Sequence, residues 1–205
     1  MKKVIIICLA ISIHIVSLAQ TTTKIGTPIE NRLGFSVGYY GDNFSNFGYQ
    51  LGIERYLATT ANFQVIGSLS ITNYFVKQNF TAYSFNPRIG IRYTTDFGLT
   101  LESHLGLGYL YRSYKFDEYD VNSQGQVVSK GKASQSSVMP NLAIGIGYDL
   151  RKKFNFPLVY IVRGSINYNY PNKHFLFEAS YALETGIVFI PNLQKSKLKN
   201  DNTSR

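Results

Sequence analysis

Apolar residues alternate with small or polar residues, at a period of two, in eight segments of this 205-residue chain. In residues 97–112, for example, Leu101 and Leu105 belong to the apolar set, whereas Glu102 and His104 belong to the other. Successive side chains of a β-strand point to opposite faces, so this period predicts strands, and no helical period competes with it. We predict an all-β fold of eight antiparallel strands, over residues 32–40, 47–54, 63–72, 83–93, 97–112, 138–149, 160–169 and 175–189.

The composition of the polar face separates a membrane barrel from a soluble barrel or sandwich, which alternation alone fits equally well. A soluble sheet normally displays lysine on its wet face, but all 13 lysines lie near the termini, at strand ends or in connections. The polar face is mainly Gly, Ser, Asn and Thr, which are small enough to line a narrow interior. The sequence therefore predicts an up-and-down transmembrane barrel, and tyrosines near the ends of the apolar face fit its aromatic girdles: Tyr39, Tyr93, Tyr109, Tyr111, Tyr148 and Tyr168.

The predicted connections differ in length between the two ends of the barrel. Residues 58–61, 94–97 and 151–157 fall at one end, and residues 42–46, 77–80, 117–134 and 170–174 fall at the other. Bacterial barrels keep their short turns in the periplasm and their long loops outside the cell. Both termini are therefore expected in the periplasm.

The first residues, MKKVIIICLAISIHIVSLAQ, have the layout of a secretory signal peptide, with cleavage expected after Ala19. A retained transmembrane helix is the alternative, but the apolar stretch is short and interrupted by Ser12, His14 and Ser17. The formal charge of +9 is concentrated near the termini, which argues against nucleic-acid binding. The expected organisation is a signal peptide (1–19), a short periplasmic segment (20–30), the barrel (31–190) and a flexible basic periplasmic tail (191–205).

Over roughly residues 30–190, the chain resembles small outer-membrane β-barrels of the OmpA/OmpX kind, in particular the porin-family or PorT-like barrels of Bacteroidota. The signal ending SLAQ and the final strand ETGIVF (184–189) carry part of this resemblance. It implies export to the outer membrane of a Gram-negative cell, with outer-membrane lipid and the barrel-assembly machinery as partners. The functions of such proteins diverge, so the resemblance implies no single activity.

The inward face carries five positive and five negative side chains, together with one histidine. An unpaired buried charge costs several kcal/mol, so this balance predicts a paired network that fills the interior. By parity, its members are Arg32, Glu54, Arg88, Arg92, Glu102, His104, Arg112, Asp149, Arg163, Glu178 and Glu184.

Two hairpin registers predict specific contacts within this network. A turn near Asp96 sets Arg88 opposite His104 with Glu102 on the diagonal, and a turn near Asn172 sets Arg163 diagonal to Glu178. One interpretation of the first group is a gate or a proton-linked site, because histidine titrates near neutral pH. The other, which the packed interiors of small barrels favour, is a structural network.

The sequence contains no convincing catalytic or metal-binding set. The lipid A deacylases that share this architecture use a His and a Ser on one strand, and His174 lies near the corresponding rim. Its nearest serine, Ser180, is about 20 Å away along an extended strand, beyond hydrogen-bond reach. Two histidines and no cysteine follow residue 19, which leaves neither a zinc nor a thiol site. We predict that the protein is not an enzyme and has no cofactor.

Residues 115–135 are predicted to form a hairpin that projects beyond the membrane. Asp117, Glu118 and Asp120 lie on one arm and Lys130 and Lys132 on the other, with NSQG as the turn. Such a hairpin is either a partner-binding surface or a solvated loop without a ligand. We therefore expect a structural or surface-binding barrel, with an extracellular or envelope protein as its partner. The alternatives are a narrow gated channel, or a subunit of a secretion or envelope-assembly machine.

Overall fold

The computed structural model describes residues 33–172 and 177–191. Within these ranges the chain forms eight strands and one short helix, α1 (Leu150–Phe154). Each strand is antiparallel to the next, and the last strand pairs with the first, so the sheet closes into a barrel. The predicted eight-stranded up-and-down barrel is thereby confirmed. Its strands are β1 (Leu33–Asp42), β2 (Asn46–Thr59), β3 (Phe63–Val76), β4 (Phe80–Thr94), β5 (Leu99–Val121), β6 (Val127–Asp149), β7 (Leu158–Asn169) and β8 (Glu178–Phe189).

The apolar set faces outward and the polar set faces inward, as the alternation predicted. On β5, Leu105 and Leu107 are each 62% exposed, whereas Glu102 and His104 are at most 4% exposed. The same alternation recurs in the other strands, where Ile89, Ile144 and similar side chains cover the outside. The barrel therefore carries an apolar exterior around a polar interior, the reverse of a soluble barrel.

Aromatic side chains form a row on the exterior near one end of the strands. Tyr39 pairs with Tyr49, and the row continues through Asn73 to Tyr83 and Tyr111 on the next strands. A second group of exterior aromatic residues lies near the other strand ends: Phe63, Tyr93, Tyr148, Tyr160 and Phe189. Amphipathic rings favour the boundary between hydrocarbon and water, so these two groups mark the edges of an apolar belt.

The connections define the two ends of the barrel. At the end we call the turn end, residues 60–62, 95–98 and 150–157 join the strands, the last through α1. At the hairpin end, the connections are residues 43–45, 77–79 and 122–126, together with the described residues 170–172 and 177 between β7 and β8. Among the described residues, no helix is long and apolar enough to cross a membrane. The predicted signal peptide, short N-terminal segment and basic tail lie outside the described residues, except Pro191.

Strands β5 and β6 extend beyond the rest of the barrel as a two-stranded ribbon. Each is 23 residues long, and their pairing continues to Val121 opposite Val127. The two strands run through residues 115–121 and 127–135, where the sequence predicts a projecting hairpin. The expectation that lysine stays outside the strands is wrong for this ribbon, because Lys115, Lys130 and Lys132 lie within it. These lysines stand beyond the apolar belt, where a wet strand can display them.

Candidate functional site

The interior charges meet in a layer that we call the central belt. It consists of three guanidinium groups and three carboxylates, so it is formally neutral. Its members are Glu54, Arg88, Arg92, Glu102, Arg163 and Glu184, which five different strands contribute. Apart from Arg163, whose side chain is 12% exposed, every one of these side chains is at most 3% exposed.

Arg92 and Arg163 share two carboxylates in one half of the belt. Arg92 donates from Nη2 to Glu54 at 2.9 Å and from Nε to Glu102 at 2.7 Å. Arg163 donates to the second oxygen of each: from Nη2 to Glu54 at 2.8 Å, and from Nε to Glu102. The phenol of Tyr56 accepts a further bond from Arg92 Nη1 at 2.9 Å. Each carboxylate therefore bridges two guanidinium groups, which removes its need for water.

Arg88 and Glu184 form the other half of the belt. The two Nη atoms of Arg88 reach the two carboxylate oxygens of Glu184 at 2.8 and 2.7 Å, which is the bidentate geometry of a strong pair. Arg88 Nε donates to Asn141 at 2.8 Å, and Ser165 donates to Glu184 at 3.1 Å. Arg163 lies 3.9 Å from Glu184 and links the two halves.

His104 lies beside the belt without a well-aligned hydrogen bond. Its Nε2 is 3.4 Å from Glu102, and neither ring nitrogen hydrogen-bonds to another described residue. His104 is opposite Gly90 and Ala143 in the sheet, where small neighbours leave room for the imidazole. The imidazole therefore mainly fills space, and it contributes no aligned hydrogen bond to the central belt.

Both predicted registers are wrong, although the predicted faces are right. In the β4–β5 hairpin, Arg92 rather than Arg88 stands opposite a charged partner, and that partner is Glu102. In the β7–β8 hairpin, Arg163 is directly opposite Glu184. When the register of a hairpin shifts by an even number of residues, every side chain stays on its face. The alternation therefore could not distinguish these registers.

The remaining predicted charges that the structure describes lie at the two ends of the barrel. At the hairpin end, Arg112 donates to Glu178 at 2.5 Å, and the Glu178 side chain is 36% exposed. At the turn end, Asp149 caps α1 and pairs with Arg151 at 2.6 Å. Arg151 lies in a connection, so the alternation of the strands does not point to it. Arg32 lies outside the described residues.

Two apolar layers, which the sequence analysis missed, enclose the central belt. The hairpin-end layer consists of Tyr40, Tyr74, Ala82, Leu110, Met139 and Ala182. The turn-end layer consists of Tyr56, Ile66, Val159, Ile161, Val188 and Ile190. The available signal was the presence of large residues on the polar face, such as Tyr40 and Leu110.

A small cavity remains between the central belt and the wall formed by β1 and β8. It measures about 20 Å³, and its lining includes Ser36, Gly38, Gln50, Arg163 and Glu184. This volume is enough for about one water molecule. Its lining mixes polar side chains, such as Ser36 and Glu184, with the apolar side chains of Ile161 and Val188.

The projecting hairpin is held by cross-strand pairs and by a hydrogen-bonded turn. Asp117 lies opposite Lys132, and Lys130 forms an ion pair with Asp120 at 2.7 Å. The hydrogen bond from Lys130 lowers the pKa of Asp120 below its usual value. In the predicted NSQG turn, Asn122 Oδ1 accepts from the amides of Gln124 at 3.0 Å and Gln126 at 2.9 Å. Opposite charges on the two arms therefore pair at Asp120 and Lys130, and Glu118 lies opposite Gly131.

The predicted absence of catalysis and of a cofactor stays a prediction. His174 lies outside the described residues, and Ser180 is buried on the inward face of β8. In the described part of the chain, no group of three or more His, Cys, Asp or Glu side chains could hold a metal ion.

Comparison with known proteins finds similar structures but no similar sequences. No protein family and no curated protein matches the chain. Neisserial surface protein A (NspA) superposes with a TM-score of 0.52 at 11% identity, covering 77% of this chain and 95% of NspA. Ail, the attachment invasion locus protein of Yersinia pestis, gives a TM-score of 0.50 at 15% identity, over 79% of this chain and 99% of Ail.

A third similar structure is that of the outer membrane enzyme PagL, with a TM-score of 0.42 at 14% identity, covering 75% of this chain and 97% of PagL. At sequence identities this low, the similarity extends to the fold alone. The specific resemblance to barrels of Bacteroidota stays a prediction. With its closed ring of eight antiparallel strands, the chain has the fold of the small outer-membrane β-barrels.

Proposed function

We propose that this chain is an integral outer-membrane β-barrel protein with a closed interior, and that it presents the projecting hairpin as a binding surface. The apolar exterior supports the membrane location. Large aliphatic side chains more than 40% exposed cover consecutive strands, for example Ile53, Ile71 and Ile89. An exposed apolar area that encircles a protein requires lipid, because water would drive it to aggregate.

Fractionation of cells that express the full chain tests the location. The protein is expected in the outer-membrane fraction after carbonate washing, and its gel mobility is expected to change on heating, as for other closed barrels. A soluble periplasmic product would contradict the proposal.

The interior supports a closed barrel rather than a pore. Three successive layers cross the lumen: the hairpin-end layer, the central belt and the turn-end layer. Small eight-stranded barrels have interiors that side chains can fill. The charges therefore stabilise the interior by pairing with one another, and they do not line a conduit.

We expect planar-bilayer recordings of the wild-type protein to show almost no conductance. The Arg88→Ala variant should also stay closed, because both apolar layers remain in place on either side of the lost side chain. Lys132→Gln, at an exposed position of the hairpin, serves as the matched control. A steady, large wild-type conductance would make the gated channel the better proposal.

An exposed apolar stripe supports a binding role for the projecting hairpin. Tyr119, Val121 and Val127 lie on the same face, since Val121 is opposite Val127 and Tyr119 is two residues before Val121. Their exposed fractions are 63%, 61% and 69%. A ribbon that only reaches into solvent gains nothing from this stripe, whereas a partner surface would bury it.

Site-specific photo-cross-linking in intact cells tests this role. A benzophenone side chain at Tyr119 should give a discrete adduct, and the additional changes Val121→Ser and Val127→Ser should abolish it. The same probe at Phe44, which is exposed in the β1–β2 connection, is the control and should give none. A hairpin without any adduct would be a solvated loop, and recovery of large envelope proteins would favour the assembly-machine alternative.

A further inference from the structure

The connection between β6 and β7 at the turn end carries an exposed basic and aromatic segment. Helix α1 ends at Phe154 and is followed by the C-cap Asn155, which has a positive φ of 52°, and the chain then turns back into β7. The segment Lys152–Phe156, which we call the basic aromatic turn, is exposed throughout. Neither the central belt nor the projecting hairpin involves it.

The two lysines of this turn have no carboxylate partner among the described residues. The neighbouring acid, Asp149, is already occupied, since Arg151 contacts its two oxygens at 2.9 and 2.6 Å. Lys153 Nζ lies 5.6 Å from the centroid of the Phe154 ring, which leaves the ammonium able to donate elsewhere. The turn therefore presents two uncompensated positive charges.

The two phenylalanines of the turn are exposed and continuous with the apolar belt. Phe154 and Phe156 are 61% and 52% exposed. The carbonyl of Phe156 accepts a hydrogen bond from the amide of Leu158 at 2.7 Å, and Leu158 pairs with the exterior residue Phe189 on β8. The basic aromatic turn thus begins where the lipid-facing surface ends.

We propose that the basic aromatic turn is a lipid anchor that binds anionic phospholipid at the turn end of the barrel. Aromatic rings favour the region between headgroups and hydrocarbon, and a lysine near an anionic surface is attracted to lipid phosphates. The inference rests on the proposed membrane location, which puts the turn end in the phospholipid leaflet. Phe154 and Phe156 enter this leaflet, while Lys152 and Lys153 bind the phosphates above them.

Because the chain contains no tryptophan, a single introduced tryptophan reports on its own position. Phe156→Trp in the full chain, reconstituted into phosphatidylcholine vesicles with brominated acyl chains, should show blue-shifted and strongly quenched emission. Leu105→Trp, in the middle of the apolar belt, is the control for barrel insertion. Val127→Trp, at the tip of the projecting hairpin, is the control for a solvated position.

Headgroup selectivity is measured by comparing quenching of Phe156→Trp by brominated phosphatidylglycerol and brominated phosphatidylcholine. Phosphatidylglycerol, the anionic lipid, is expected to be preferred. Adding Lys152→Gln and Lys153→Gln should reduce that preference by roughly fivefold or more at low salt. Lys130→Gln with Lys132→Gln is the matched control and should leave the preference unchanged.

The outcomes separate the anchor from the barrel. A quenched Leu105→Trp with a solvent-like Phe156→Trp would overturn the anchor and leave the membrane location intact. An unquenched Leu105→Trp would overturn both. Equal quenching of Phe156→Trp by the two lipids would remove the role of the lysines and overturn the proposed anionic specificity.

Discussion

Replacing Arg92 with methionine should lower the free energy of unfolding by about 3–5 kcal/mol, the usual effect of breaking a buried ion pair. Arg92 donates to Glu54, Glu102 and Tyr56 within a belt that is neutral overall. Its loss leaves the interior with one uncompensated carboxylate. A urea titration of the full chain in detergent, read by circular dichroism and by the gel mobility of unheated samples, measures the change.

Two further variants test whether charge balance is the cause. Arg92→Met combined with Glu102→Gln restores neutrality, so it should recover part of the lost stability. Arg112→Met should cost less than Arg92→Met, because its partner Glu178 is partly exposed and can be hydrated. Equal losses for the two single arginine variants, or no recovery in the double variant, would contradict this explanation.

Replacing Gly38 with valine should prevent the barrel from closing between β1 and β8. A Cβ atom at Gly38 would lie 2.4 Å from the carbonyl oxygen of Thr185 and 2.9 Å from the Cα of Gly186. Both obstacles are backbone, so no rotamer change relieves them, and β1 must move away from β8. The variant is expected to lose nearly all of the heat-modifiable, folded band after refolding into detergent.

The matched control is Gly164→Val on the exterior of β7. An added Cβ at Gly164 meets no atom within 4 Å, so the folded band and the urea midpoint should stay close to those of the wild type. If both valine variants fold equally well, the close approach of β1 and β8 does not limit assembly. If neither valine variant folds, the effect of valine has a cause other than the close approach of β1 and β8.

The alternation of residue types determined the fold class and the face of each strand. A period of two has no other regular interpretation over eight segments, and a strand has only two faces. Alternation therefore put Glu102 and His104 on one face, and the small polar composition of that face indicated that it is the interior. The sequence also predicted the turn at Asn122–Gly125, since that turn depends on local hydrogen bonds of Asn122.

Only the closed barrel decided which charges meet. The hydrophobic pattern repeats every two residues, so it is unchanged when a hairpin shifts by two, and the contacts of Arg88 and Arg92 depend on such a shift. The pairing of Arg88 with Glu184 crosses the lumen, between strands that are not neighbours. Contacts of this kind depend on the tilt and stagger of the closed sheet, which no local pattern encodes.

The closed barrel also decided which residues meet in the two apolar layers. The parity of their positions puts Tyr40 and Leu110 on the inward face, but each is a single large apolar exception among the inward residues of its own strand. The tilt of the strands brings Tyr40, Tyr74 and Leu110 to one level of the barrel, where they pack together. Parity determined that these side chains point inward, and only the closed barrel gathers them into a layer, because their height depends on all the registers between them.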